Sequence, residues 1–232
     1  MPGYELKHAG DTALVVEFGE TVDRDVSSRV VALAETLKTL DAPGVVELIP
    51  TFRSLMVRYE PMDISADEVN GLIARALALG ATANRPRRRW VVPVCFEGAH
   101  GLDADYVSEC SGVAPADLAA ALSAPIYHVY MLGFLPGQPY LGDLPEAFDL
   151  PRRLSPRNAV PAGSVGVAKR LICIYPSETP CGWHIVGRCA ARLWQADGPL
   201  FQAGDEVRLA PVPAHAFNPD DPALPFMDEA GP

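Results

Sequence analysis

Apolar and polar positions alternate cleanly from Thr12 to Phe18, with Leu14, Val16 and Phe18 on one face and Ala13, Val15 and Glu17 on the other. That period of two predicts a half-buried strand. Val26, Val30, Leu33, Leu37 and Leu40 then recur at spacings of four and three, the stripe of an amphipathic helix, which Asp41-Ala42-Pro43-Gly44 stops. Val45–Ile49 and Phe52–Tyr59 read as two strands joined at Pro50-Thr51. Ser65 and Glu68 have the spacing of a capping box and open a second helix, whose apolar face carries Val69, Leu72, Ile73, Ala76 and Leu77 and which ends near Gly80. Trp90–Phe96 is a further strand. The resulting order, β-α-β-β-α-β, is that of a ferredoxin-like split unit. Its last strand lies beyond the polar linker Ala83–Arg89 and alternatively opens the next domain. We place the boundary in that linker, giving an N-terminal α/β domain at residues 1–86 and a second domain at 87–232.

Beyond the linker, Asp103–Cys110 and Pro115–Leu122 are expected as two short helices. Pro115 suits a first helical turn and Asp117 the positive end of a helix. From Ile126 the pattern turns to β: Ile126–Leu132, Ser164–Ala168, Leu171–Tyr175, Trp183–Val186, Ala191–Trp194 and Glu206–Ala210. Between Tyr127 and Arg188, glycine and proline recur too often for any helix to persist, while short strands and fixed loops survive. Short strands punctuated this way predict a closed or nearly closed barrel, and loops rich in aromatic, Arg and Ser side chains suit a shaped cleft. The tail from Pro211 to Pro232 is expected to drape or fray.

Composition narrows the function classes. A net charge of −10 argues against non-specific nucleic-acid binding, which needs clustered cations. The basic run Arg85–Arg89 is short and reads as a solvated linker. Neither a signal pattern nor an apolar run long enough for a membrane span occurs, so a soluble cytoplasmic protein is expected. The five cysteines include no CxxC pair, and Cys181 and His184 match no established zinc pattern, so no metal site is expected. Cys173, Cys181, His184 and Cys189 are expected as buried residues.

The stretch from Gly133 carries a resemblance. Gly133-Phe134-Leu135-Pro136-Gly137 with Tyr140-Leu141, then Pro156-Arg157, Val160-Pro161-Ala162-Gly163-Ser164-Val165-Gly166, Ile174-Tyr175-Pro176, Gly182-Trp183 and Gly187-Arg188 resemble the KipI-like family, which includes the first allophanate hydrolase subunit and the B subunit of 5-oxoprolinase. The resemblance implies an α+β protein in which the N-terminal domain precedes a cyclophilin-like β-barrel domain. It implies partners: a second cyclophilin-like subunit, KipA-like, and a third one, LamB-like. Together these open 5-oxo-L-proline to L-glutamate with ATP hydrolysis. ATP with Mg is expected at the level of the complex, not firmly on this chain. Other family members imply two alternatives: an inhibitor that docks on a sensor histidine kinase through a patch such as Gly133–Tyr140, and a carboxyltransferase component of urea metabolism. The chain departs from the family pattern at Gln138, at Leu171, Ile172 and Cys173, and at Cys181. Polar groups and glycines expected there are replaced, which leaves the substrate open.

Candidate site residues follow from chemistry. Arg157, between turn residues, offers a planar fork for a carboxylate or phosphate, against a structural role in tying a loop to an acid. His128 is a candidate proton-transfer group if it faces the cleft, against a core or rim position. Tyr130 shares its strand face. Gly163 and Ser164 could turn backbone N–H groups toward an anion, against a plain strand-entry loop. Arg188, at a strand end, either points into the cleft or pairs structurally. No P-loop, GxSxG elbow or Ser/His/Asp motif is present.

Overall fold

The computed structural model describes residues 3–80, 88–220 and 225–227. The chain divides into two compact units, Met1–Pro86 and Arg87–Pro232.

The first unit contains β1 (Glu5–His8), β2 (Ala13–Glu17), α1 (Arg24–Leu40), β3 (Val45–Pro50), β4 (Ser54–Tyr59) and α2 (Ala66–Ala78). Its sheet is antiparallel throughout, in the order β1-β2-β4-β3. The inward residues of β2, Leu14 and Val16, pack with Val30, Leu33 and Leu37 of α1 and Val69, Ile73 and Ala76 of α2. Both helices start as their sequences dictate. Asp23 accepts from the Val26 N–H at 2.8 Å. The capping box is complete: Glu68 N–H donates to Ser65 Oγ at 3.3 Å, and Ser65 N–H donates to the Glu68 carboxylate at 2.9 Å.

The strand around Trp90 opens the second unit, as the boundary placed in the linker has it, and the fourth strand of the first sheet is instead the N-terminal β1, which pairs with β2. β1 escapes the sequence reading because Glu5-Leu6-Lys7-His8 is an edge strand with little buried surface to impose alternation.

The second unit contains β5 (Arg89–Val94), α3 (Ala104–Ser111), α4 (Leu118–Ser123), β6 (Tyr127–Leu132), β7 (Pro139–Gly142), β8 (Arg157–Val160), β9 (Ser164–Ala168), β10 (Leu171–Ile174), β11 (Thr179–Cys181), β12 (His184–Arg188), β13 (Trp194–Gln195), β14 (Gly198–Pro199), β15 (Glu206–Pro211) and β16 (Phe226–Met227). Eight strands form one sheet in the order β12-β9-β10-β7-β6-β15-β5-β16. Its two ends approach each other where Cys95, just past β5, exchanges backbone hydrogen bonds of 2.8 Å with Arg188 of β12. The result is a nearly closed barrel. Gly187 sits at that seam, where a Cβ would come within 2.8 Å of Val94 and 2.9 Å of the Cys95 carbonyl oxygen.

One face of the barrel sheet buries Val92, Val94, Tyr127, Val129, Leu141, Val165, Val167, Ile172, Val186, Val207 and Leu209 in the main core. Its opposite face carries a second cluster, Cys173, Tyr175, Trp183 and Ile185 with Val160 and Cys181, beneath the two-stranded ribbon β8–β11. Strands β7 and β8 are not legible in the sequence. The expected strand Ala191–Trp194 shrinks to Trp194–Gln195; of that run Leu193 is buried in the core and Ala191 is only partly buried against it.

The basic run also reads differently in space. Residues 85–87 lie outside the described residues, but Arg88 and Arg89 are not solvated linker. Arg88 donates to buried Asp205 (2.6 and 3.1 Å), and Arg89 to Glu206 (2.8 and 2.9 Å). These pairs fasten the start of β5 alongside its parallel neighbour β15. Among the described residues no helix is long and apolar enough to cross a membrane.

Candidate functional site

The segment Pro151–Arg157 lies as a strap across Cys181–Ile185. Arg153 N–H donates to the Gly182 carbonyl at 2.8 Å, His184 Nε2 donates to the Pro151 carbonyl at 2.9 Å, and Arg157 stands opposite Cys181 in the β8–β11 register. Asp103, just ahead of α3, anchors the arrangement. Its side chain is almost wholly buried and accepts four hydrogen bonds: from Arg157 Nη1 (2.6 Å) and Nη2 (2.8 Å), Arg153 Nη1 (2.6 Å) and the Ile185 N–H (2.7 Å). Burial works against the charged carboxylate, but the Arg157 hydrogen bonds, the Ile185 N–H and the charges of Arg157 and Arg153 outweigh it. The Asp103 carboxyl is held below the ordinary carboxylate range.

Two guanidinia on one carboxylate leave a net charge of about +1 here. Both arginines keep roughly a quarter of their side-chain surface exposed, 24% for Arg157 and 28% for Arg153. Arg157 Nε and Arg153 Nη2 have no protein acceptor among the described residues. Next to them, His184 is buried and its ring stacks on Tyr106 of α3, centroids 4.6 Å apart. A carbonyl only accepts, so Nε2 carries a proton in the bond to Pro151, and the other ring nitrogen is Nδ1. That Nδ1 is buried and has no protein partner among the described residues. Arg152, beside this strap, lies over the Trp183 ring at 5.8 Å. The free N–H edges of the two arginines can hold a small anion.

The residues predicted from sequence fall into three groups. Arg157 is in the cluster just described, with its fork already engaged by Asp103 instead of facing solvent. Gly163, Ser164 and Arg188 meet at the other end of β12, where Arg188 stands opposite Ser164. The anion-holding loop expected there is not built. Gly163 N–H donates to the Tyr175 carbonyl at 2.7 Å, Ser164 N–H to Pro161 at 3.2 Å, and Ser164 Oγ to the same Pro161 carbonyl at 2.7 Å. Arg188 Nε fastens the loop through the Ala162 carbonyl at 2.8 Å. With its N–H groups spent on carbonyls, the loop has none left at these positions for an anion, and Gly163 is required by its φ of 82° and the adjacent Cys189 carbonyl. Ile185 and Arg188 are separated by about 10 Å along the strand, so this loop is a separate feature from the Asp103 cluster.

His128 and Tyr130 form the third group on β6. Their rings meet edge to face at 4.7 Å, as the shared strand face implies, and Tyr130 Oη donates to Asp143 at 2.8 Å. Gly142 is obligatory because the Tyr130 ring fills the place of a side chain. His128 is buried. The structure does not join this pair to Arg157 by any contact among the described residues.

Asp103, Arg153 and His184 are not singled out as site residues by the sequence. His184 reads there only as a buried residue. The only signal for Asp103 is its position ahead of a helix. Among the described residues no three His, Cys, Asp or Glu side chains converge to hold a metal ion. Cys181 Sγ instead lies 3.1 Å from Tyr175 Oη and accepts the Trp183 N–H at 3.3 Å. The N-terminal unit has a cleft of about 470 Å³ bordered by Tyr4, Phe18, Arg29 and Leu77, but none of the predicted site residues line it.

Comparison with known proteins gives the chain a family. Residues 4–200 match the model of the family described as carboxyltransferase domain, subdomain C and D. The chain belongs to that family. Within it, the chain is 35% identical over 223 residues to the 5-oxoprolinase B subunit of Bacillus subtilis, covering 90% of this chain and 93% of that protein. It is 36% identical to the 5-oxoprolinase B subunit of Escherichia coli O157:H7, covering 87% and 93%. The resemblance read from Gly133 to Arg188 is thereby borne out. Among solved structures, TTHA0988 superposes with a TM-score of 0.78 at 30% identity, covering 89% of this chain and 41% of that one. This chain therefore spans less than half the length of TTHA0988. The urea amidolyase of K. lactis shares the fold, with a TM-score of 0.72 at 21% identity, covering 93% of this chain and 16% of that one.

Proposed function

We propose that this family member acts as the B subunit of an ATP-dependent 5-oxoprolinase, opening 5-oxo-L-proline to L-glutamate within a multi-subunit complex. In this reading its N-terminal unit is ferredoxin-like, with the edge strand supplied from the N-terminus, and its barrel is cyclophilin-like. The partners are a second cyclophilin-like subunit and a third, LamB-like one, in the cytoplasm. The observation that carries the reading is the partly exposed Asp103–Arg153–Arg157 cluster in a chain whose relatives bear that name.

A lactam carbonyl is a poor electrophile. Transfer of the terminal phosphoryl group of ATP to its oxygen, with ADP leaving, makes the carbon attackable; water adds, the ring C–N bond breaks as the nitrogen takes a proton, and a second water releases phosphate from the resulting acyl phosphate to leave glutamate. In this reading ATP and Mg bind at the level of the complex, and the phosphoryl step is not assigned to this chain. What the chain supplies is positioning. Arg153 and Arg157 hold the substrate carboxylate through their unused N–H edges, and Asp103 keeps both forks in place.

The test is glutamate release from 5-oxoproline by the reconstituted complex, with and without ATP, and with this chain omitted. Arg157→Ala and Arg153→Ala should each raise KM for 5-oxoproline about tenfold or more, as loss of a charged hydrogen bond of about 1.5–3 kcal/mol requires. ATP-dependent release that persists without this chain, or is indifferent to both substitutions, refutes the assignment.

A further inference from the structure

Outside this site, the loop Gly133–Gly137 presents an unusual combination. Phe134 is 70% exposed and takes a left-handed backbone conformation, φ 71°, that bulky residues avoid. The loop is held rigidly. Gly133 N–H donates to the Gln138 carbonyl (3.1 Å) and Gln138 N–H to that of Leu135 (3.0 Å). Gly137 is wedged against the neighbouring turn, where a Cβ would come within 2.6 Å of the Leu193 carbonyl oxygen and 3.4 Å of the Trp194 ring. That neighbouring turn, β13–β14, is pinned by buried Leu193 and Leu200, yet Trp194 itself stays 53% exposed. Two exposed aromatics thus project from interlocked, well-anchored turns. Burial within this chain accounts for neither.

The chemistry around them selects the kind of occupant. The loop Gly133–Gln138 carries no Asp, Glu, Lys or Arg, and the exposed charges flanking Trp194, Arg192 and Asp197, are one of each sign. Depletion of charge with retained aromatics is the composition of a protein–protein interface core. Anionic lipid and nucleic acid both require cations that this loop lacks. A rigid aromatic anchor loses little conformational entropy when it is buried, which favours a stable contact. The solved relative TTHA0988 carries more than half its chain beyond the portion that this protein matches, and the curated relatives are named as subunits.

We infer that Phe134 and Trp194 anchor this chain to its companion polypeptide, the one that corresponds to the unmatched part of TTHA0988. The inference rests on the subunit reading above and adds the surface. Phe134 enters an apolar pocket of the partner, and its strained backbone persists because docking, not folding, uses the side chain.

The experiment is calorimetric titration of this chain with the purified companion corresponding to that part of TTHA0988. Phe134→Ala and Trp194→Ala should each weaken binding about tenfold or more. Phe134→Leu should retain most of the affinity. Met62→Ala, at an exposed apolar side chain of the first unit, should leave it unchanged. Phe134→Gly should weaken binding while leaving the Tm of the isolated chain unchanged or higher, since glycine relieves the left-handed strain. An interface residue gives that opposed pair of effects; a structural residue loses both together. If wild type binds and the variants bind equally well, the surface is wrong and the subunit reading stands. If wild type does not bind the companion at all, both fall. If the variants instead abolish self-association of the isolated chain, the face belongs to a second copy and the assignment is overturned.

Discussion

Asp103→Ala removes the acceptor on which four hydrogen bonds converge, three from guanidinium groups and one from the Ile185 N–H. The side chain is 5% exposed. Losing one partner of a buried charge pair costs about 3–5 kcal/mol, and the stranded Ile185 N–H alone accounts for about 1–3 kcal/mol of that. Arg157→Ala should cost less, about 2 kcal/mol, because Asp103 keeps Arg153 and the Ile185 N–H. The double variant should be less destabilised than the sum of the singles, since both report on one network. Urea unfolding followed by tryptophan fluorescence isolates the relevant unit, because all three tryptophans, Trp90, Trp183 and Trp194, lie in the second one. The pH dependence gives a second check. The Asp103 carboxyl is depressed, so its stabilisation is complete above the ordinary carboxylate range and disappears as pH falls through the depressed value. The gap between wild type and Asp103→Asn should therefore be widest near neutrality and close in acid. A cost below about 1 kcal/mol for Asp103→Ala, or a gap that widens in acid, would show that the cluster is a solvated surface pair and remove the basis for the site.

Two further outcomes follow from packing and burial. Gly187→Ala should destabilise the barrel unit by about 1–3 kcal/mol through overpacking at the seam, whereas Gly71→Ala, exposed within α2 with open space around it, should stabilise by about 0.5–1 kcal/mol; equal melting shifts for the two would contradict the closure. Only Cys110 is exposed, while burial pushes the Cys173 thiol up and the Cys189 thiol up to about 11. Ellman titration should find one fast thiol in the native protein and all five of the chain's cysteines after denaturation, and a second fast thiol would contradict the buried placement.

Local signals in this chain are strong wherever one side of an element is buried and the other is wet. Leu14-Val15-Val16, the stripe from Val26 to Leu40 and the Ser65–Glu68 box dictate a strand, a helix and a helix start through contacts a few residues apart, and each is present in space. The motif run from Gly133 to Arg188 likewise marks the family and the turn punctuation of a barrel. The element at Glu5–His8 and the strands at Pro139 and Arg157 leave no such trace, because pairing with distant neighbours creates them and not their own periodicity. The site divides the same way. Arg157 is visible as a guanidinium between turns, but what its fork meets is not, since Asp103 is 54 residues away. Ser164 looks like part of an anion loop until the carbonyls of Pro161 and Tyr175 take the N–H donors there. The fate of a hydrogen-bonding group depends on who else is near it. Only the closed chain, with strap, barrel seam and helix α3 brought together, decides that.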